Sequence, residues 1–207
     1  AQLDGRNDLT TEEKNAAKAD AQARATAAKA AIDNATTNAT VDSAKTSGVA
    51  DVESVNPQAS QKKTDAKNAV DEALKAKEAA IDANNDLTAE EKAKAKADAK
   101  AKADAAKPAI DNATTNAGVE QAKNDGATSV GSVNPTPAAK PAAKKAIDDA
   151  LKAKNDAIDA NNDLTAEEKA KAKEDAKAKA DAAKQAIDSA TTNDAVTQAK
   201  NDGATSV

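Results

Sequence analysis

The sequence predicts an all-α protein: tandem three-helix bundles, up-down-up, stacked end to end into an elongated rod. Three observations carry that expectation. First, the stretch from Leu87 to Asn116 occurs three times, opened by Leu9, Leu87 and Leu164. In each copy an isoleucine follows the leucine at the same offset: Ile32, Ile110 and Ile187. The second spacing between the leucines is shorter than the first by a single position, and self-similarity at a fixed period marks an array of small units. Second, the apolar inventory is 59 Ala, 10 Val, 6 Leu and 6 Ile, with no aromatic residue, Met or Cys. Alanine and lysine are strong helix formers, so helix is favoured around a thin aliphatic core. Third, helix-start signals recur at the repeat period, and they break any continuous coiled-coil pattern.

The repeat sets the domain boundaries. Residues 1–56 read as a partial repeat, holding the end of a first helix and then helices two and three. Residues 57–134 form a complete three-helix repeat, and residues 135–207 a nearly complete one. The opening AQLDGRND aligns with Ala79–Asp86, AAIDANND, the tail of a first helix and its turn. The whole therefore reads as a segment of a longer array.

The second helix of each repeat starts at Thr10, Thr88 and Thr165, each followed three positions later by Glu13, Glu91 and Glu168. This is a capping box: the hydroxyl takes a free backbone N–H, and the glutamate reaches back to the cap's own N–H. The helix body, AKAKADAKAKAD, alternates small and polar like a half-buried strand. Alanine, lysine and aspartate are depleted from strands, however, so helix is the expected state. Its inner face is then Ala95, Ala99, Ala103, Ala106, Ile110 and Ala113. Pro108 stands where the other copies have Ala30 and Gln185. It removes a backbone hydrogen bond and predicts a kink in the second copy.

An N/S-A-T-T-N turn follows, and Asn38, Asn116 and Asn193 are its candidate caps for the third helix. That helix carries Val41, Val49, Val52 and Val55 in the first copy, and Val119, Val130 and Val133 in the second. Gly48 and Gly126 fall within it. One unbroken helix with a close contact at the glycine is the expectation, favoured over a break into two short helices. The triplets Val55-Asn56-Pro57 and Val133-Asn134-Pro135 then predict the next first helix, with Asn as cap and Pro as first helical residue. On this reading no linker separates repeats. The approach Pro135-Thr136-Pro137, with Pro141 behind it, predicts a later start in the third repeat. The first helix places Val70, Leu74 and Ile81 on one face, or Ile147, Leu151 and Ile158 in the third repeat. Lys77 and Lys154 share that face, their stems along the stripe and their ammonium groups in water. Asn84-Asn85 end the helix, as residues that tolerate the left-handed conformation.

Composition excludes several functions. No histidine removes the usual general base and the commonest metal ligand. A net charge of −5 without aromatic residues speaks against nucleic-acid binding. No apolar run is long enough to span a membrane. No signal peptide is legible at Ala1 and no anchor before Val207. For an exported protein these lie outside the segment. Asp82, Asn84 and Asp86 match the opening of a calcium loop, as do Asp159, Asn161 and Asp163. Yet Leu87 and Leu164 occupy the glycine position, and Ala93 and Ala170 the position of the bidentate glutamate. No catalytic residue, metal or cofactor is expected.

The pattern of capping box, Ala-Lys helix, A-I-D-x-A-T-T-N, glycine and V-N-P resembles a known family. It is similar to the "domain of unknown function" repeats of Gram-positive cell-wall-anchored surface proteins, of the staphylococcal extracellular-matrix-binding type. The matching residues are Ala31–Asn38, Ala109–Asn116, Ala186–Asn193 and the two V-N-P triplets. The resemblance covers essentially the whole chain and supplies no catalytic residues. It implies an extracellular setting at the cell wall and a role in adhesion or biofilm accumulation. Pro108 and the proline-rich 135–141 depart from a regular array. Two functions follow from it. One is a stalk that holds a distal domain away from the wall, monomeric in isolation. The alternative is a repeat that itself binds a host matrix or plasma protein, or self-associates weakly. The first is favoured, because binding hot spots prefer Trp, Tyr or Arg, and only Arg6 and Arg24 are present.

Overall fold

The computed structural model describes residues 2–207. Among them are eight helices and no strand: α1 (Thr11–Asp33), α2 (Asn38–Glu53), α3 (Gln61–Ala83), α4 (Ala89–Asn112), α5 (Asn116–Gly131), α6 (Ala139–Ala160), α7 (Ala166–Ser189) and α8 (Asn193–Ser206). The chain divides into two compact units, Ala1–Leu74 with Ala101–Val130, and Lys75–Lys100 with Gly131–Val207. Helices α3 and α4 each contribute one part to either unit.

In the second unit α6, α7 and α8 all contact one another. Two cross-helix ion pairs fix the direction of α6 against α7. Lys144 pairs with Asp188 and Asp148 with Lys184, so a step forward on α6 is an equal step back on α7. The two helices are antiparallel. Their shared core is Ala143 and Ile147 of α6, Ala176, Ala180, Ala183 and Ile187 of α7, and Val196 of α8, with Leu151 packed at its edge. The alanines recur at intervals of three and four, which is the helical inner face, so the alternating sequence folds as helix despite its strand-like period. Alanine also loses no side-chain entropy on burial.

The first unit contains α1 and α2, the start of α3, the end of α4, and α5. Arg24 of α1 reaches Asp51 of α2 at 2.8 Å, and Ala28 faces Gly48, so this pair is also antiparallel. Lys67 pairs with Asp111 at 2.8 Å and Lys107 with Asp71 at 2.7 Å, the same rungs that α6 and α7 share. Val70, Ile110, Val119 and Val130 are fully enclosed there.

The third helix is unbroken in all three copies, and its glycine is a point of close approach. A Cβ added to Gly126 would lie 2.6 Å from the Ala106 Cβ, and Gly48 and Gly203 face Ala28 and Ala183 equally tightly. Helix α4 runs through Pro108, which is exposed.

Four sequence expectations about helix ends are corrected. Asn56 and Asn134 do not cap the first helix. α3 and α6 start at Gln61 and Ala139, and residues 54–60 and 132–138 are non-helical connections. Ser60 is the working cap, its hydroxyl accepting from the Lys63 N–H at 3.2 Å. Nor does the second proline-rich approach delay the helix. Both helices begin at the same distance after their Val-Asn-Pro proline. The third helix is capped one position earlier than expected, by Thr37, Thr115 and Thr192, whose hydroxyls accept from Thr40, Gly118 and Ala195 N–H. Asn84 and Asn161 do not adopt the left-handed conformation, which no non-glycine residue among those described takes. Their side chains instead accept from the N–H of Asp86 and Asp163, closing a turn of the asparagine type.

Candidate functional site: the repeat junction

Each unit contains one junction between consecutive repeats, and the two junctions use equivalent residues. They form around the capping box that starts the second helix of the earlier repeat. Thr10 and Thr88 are fully buried, and Leu9 and Leu87 beside them are 3% and 2% exposed. The box itself closes as the sequence predicts. The Thr88 N–H donates to Glu91 Oε2 at 2.9 Å, and the Glu91 N–H to Thr88 Oγ1 at 3.3 Å. The Thr10–Glu13 and Thr165–Glu168 boxes have the same form.

The glutamate has a second oxygen, and in both junctions it serves the next repeat. Glu91 Oε1 accepts from the N–H groups of Ala138 and Ala139, at 2.9 and 3.0 Å, where α6 begins. Ala138 has no side-chain cap of its own, so the previous repeat supplies one. Glu13 Oε1 accepts from the Ser60 hydroxyl at 2.8 Å, where α3 begins. One carboxylate thus serves the starts of two helices, each with orphan N–H groups to satisfy.

The neighbouring acid holds a third helix. Glu12 accepts from the Asn116 N–H at 3.0 Å and Glu90 from the Asn193 N–H at 2.9 Å. Each of these N–H groups is at the first helical position and has no partner within its own helix. A backbone bond lies alongside: Thr11 N–H to the Thr114 carbonyl, and Ala89 N–H to the Thr191 carbonyl, both 2.7 Å. In the second junction the Thr88 hydroxyl also donates to Asn193 Oδ1 at 2.8 Å. In the first, the equivalent Asn116 Oδ1 is buried without a partner.

These contacts lower the pKa of Glu12, Glu90 and Glu91. At Glu90 the Asn193 N–H is the largest cause, followed by its own N–H. At Glu12 its own N–H leads and Asn116 follows. At Glu91 partial desolvation pushes upward, but the N–H groups of Thr88, Ala139 and Ala138 together outweigh it.

Two lysines complete the junctions, one in each. Lys63 and Lys140, each 5% exposed, are the buried charged side chains among the described residues. Lys63 Nζ donates to the carbonyls of Asn7 at 3.1 Å and Asp111 at 2.7 Å. Lys140 Nζ donates to those of Asn85 at 2.9 Å and Asp188 at 2.6 Å. Within each repeat, two lysines of the second helix tie down the end of the preceding helix. Lys92 and Lys96 reach the Asp82 carbonyl and carboxylate at 2.8 and 2.5 Å, and Lys169 and Lys173 do the same at Asp159. Asp82 and Asp159 are therefore ion-pair partners of lysine.

The other residues marked in the sequence fall into two groups. Val70, Ile81, Ile110, Val119, Val130, Val133, Ile147, Ile158 and Ile187 are buried. Ile32, Val55, Pro57, Leu74, Pro135, Leu151 and Leu164 are half-buried, while Thr165, Glu168 and Pro108 are exposed. Lys63, Lys140 and Glu12 were not singled out by sequence, and Glu90 only as half of an acidic pair suited to the helix dipole. Among the described residues no cluster of three or more acidic, His or Cys side chains could hold a metal, and no helix is long and apolar enough to cross a membrane.

The family described as Domain of Unknown Function (DUF1542) matches residues 1–60, 62–138 and 139–207. The chain belongs to this family. Its three tandem copies cover nearly every residue. The chain is 33% identical over 141 residues to the Extracellular matrix-binding protein EbhA of Staphylococcus aureus (strain Newman), covering 68% of this chain and 4% of that protein. The Extracellular matrix-binding protein ebh of strain NCTC 8325 / PS 47 matches at the same identity, with 2% of its length covered. That of strain MRSA252 matches at 32% over 68% of this chain and 1% of its own length. The chain thus spans a few per cent of these curated relatives. These DUF1542 repeats are all-helical and resemble those of staphylococcal matrix-binding proteins. No solved structure matches the chain.

Proposed function

We propose that these DUF1542 repeats are stalk units of a bacterial surface adhesin, projecting a distal functional domain from the cell wall. The observation that carries this reading is the junction: the same polar clasp joins consecutive repeats twice, at the repeat period. Each repeat is then a three-helix bundle, up-down-up, stacked on its neighbour to make a rod. An odd number of antiparallel helices enters a bundle at one end and leaves at the other. Helices of about 24 residues are about 36 Å long, so this chain would extend roughly 100 Å. Surface chemistry supports a passive role. Both arginines are engaged in ion pairs, Arg6 with Asp8 and Arg24 with Asp20 and Asp51. Val49 is the one exposed large apolar side chain among the described residues. No catalytic step enters this reading.

The names of the relatives favour a second reading, in which the repeats bind a host matrix or plasma protein themselves. Titration of the 207-residue chain against immobilised fibronectin, albumin and immunoglobulin separates the two. The stalk reading predicts no saturable binding at submicromolar concentration. A saturable submicromolar partner would make the repeats the adhesive element.

A further inference from the structure

We propose that Lys63 and Lys140 are the positioning residues that couple each repeat to the one before it. Each ammonium bonds two carbonyls that belong to different repeats. Asn85 O lies in the turn between α3 and α4, while Asp188 O lies in the last turn of α7. Asn7 O and Asp111 O are the equivalent pair at Lys63. The helix carbonyl is one of the unpaired groups at the negative end of the helix dipole, where a cation is favoured. The turn carbonyl belongs to the preceding repeat. An apolar side chain could fill the same space but could not bond either one.

Two features separate these lysines from the solvated ones. They are buried, and a buried charge is costly unless it is hydrogen-bonded. They are each bonded to carbonyls on two sides, whereas Lys67 and Lys144, one turn further on, pair with the exposed carboxylates of Asp111 and Asp188. Like the solvated Lys67 and Lys144, they also keep their register across a change of length nearby. The interval from Lys63 to Lys140 is shorter by one position than that from Pro57 to Pro135, and it equals the interval from Asp111 to Asp188. The deletion falls between the proline and the lysine, and the lysine keeps register with the carbonyl it bonds. With the lysine seated, the second-to-third-helix turn and the start of the first helix are both held against the earlier repeat. There the backbone bond and the two glutamates close over them. The role holds whether the array projects another domain or binds a ligand itself.

The test is site-resolved amide hydrogen exchange on the full chain carrying Lys140→Met, which keeps the stem and removes the donors. The amides of Ala89 and Asn193, which donate to Thr191 O and Glu90, should exchange at least ~10-fold faster, because their local opening becomes easier. The Thr11 and Asn116 amides of the other junction, and those in the middle of α7, should stay at the wild-type rate. Lys63→Met should give the reciprocal pattern, and Lys144→Met should leave both junctions unchanged. Unaltered exchange at Ala89 and Asn193 in Lys140→Met overturns the proposal. So does a loss of protection spread evenly through α7, which would make the lysine a general fold determinant. Failure of both methionine variants to fold overturns it for the same reason.

Discussion

Within residues 1–207 the pair α1–α2 has no first helix of its own repeat beside it, whereas α7 and α8 have α6, and the two groups differ in how well they exclude water. Ile187 is fully buried and Val196 is 3% exposed, but their counterparts Ile32 and Val41 are only half-buried. Helix α2 buries no residue fully, whereas α8 buries Val196 and Gly203. Val49 is 51% exposed. A groove of about 340 Å³ lies between α1 and α2, lined by Ala25, Ala28, Ile32, Gly48, Val49 and Val52. In the trio the equivalent surface is covered by α6, and the Ile147 side chain reaches Gly203. Two alanine-faced helices therefore approach closely without making a dry core. The isoleucine and leucine of the first helix complete it.

Matched substitutions in the pair and the trio put this difference to work. The largest contrast is expected for the isoleucines. Ile187→Ala should cost about 3–4 kcal/mol, as a buried Ile→Ala change does, and Ile32→Ala about 1 kcal/mol, since its site is already wet. Chemical denaturation followed by circular dichroism measures both; equal losses would mean the pair has a closed core after all. Next come the glycines. In Gly203→Ala the new methyl meets both Ala183 and Ile147, and overpacking of this kind costs about 1–3 kcal/mol, partly offset by about 1 kcal/mol of helix propensity. Gly48→Ala meets Ala28 alone, so α1 and α2 can separate slightly. It should cost less than Gly203→Ala by the same measurement.

Acid should act more weakly, and on the junctions. Glu12, Glu90 and Glu91 have lowered pKa values when folded, so the stability they lend is full above the ordinary value of 4.5. It fades as the pH drops through their folded pKa. Melting temperature recorded from pH 6 to pH 3 should fall on the acid side. The Glu90→Gln/Glu91→Gln variant should flatten that limb more than Glu12→Gln, because two of these carboxylates serve the second junction. An acid limb identical in all three proteins would contradict this. The smallest effect expected is a gain. Pro108→Ala restores one backbone donor at an exposed position of α4 and should stabilise by about 1 kcal/mol, less than the cost of proline in a fully packed helix interior.

Much of the architecture was legible in sequence because its signals are local and repeated. Three Thr-x-x-Glu boxes mark the second helix, and the alanine face is a helical period. The junction was harder to read for a physical reason. Lys63 and Lys140 sit on amphipathic helices, where a lysine ordinarily faces water, and their acceptors are backbone carbonyls that no residue type announces. The second role of Glu13 and Glu91 was hidden because the capping box accounts for only one of the two carboxylate oxygens. Asn-Pro misled because that dipeptide suits a helix start wherever no better cap follows. Here Ser60 and the Glu91 carboxylate, both further along or outside the local sequence, take over.

The stacking of repeats stands or falls on small-angle X-ray scattering from the 207-residue chain. A rod of about 100 Å has a radius of gyration near ~30 Å, and that value is the expected result. A radius near ~17 Å, that of a compact globule of this length, would contradict it and would mean that the repeats fold back on one another.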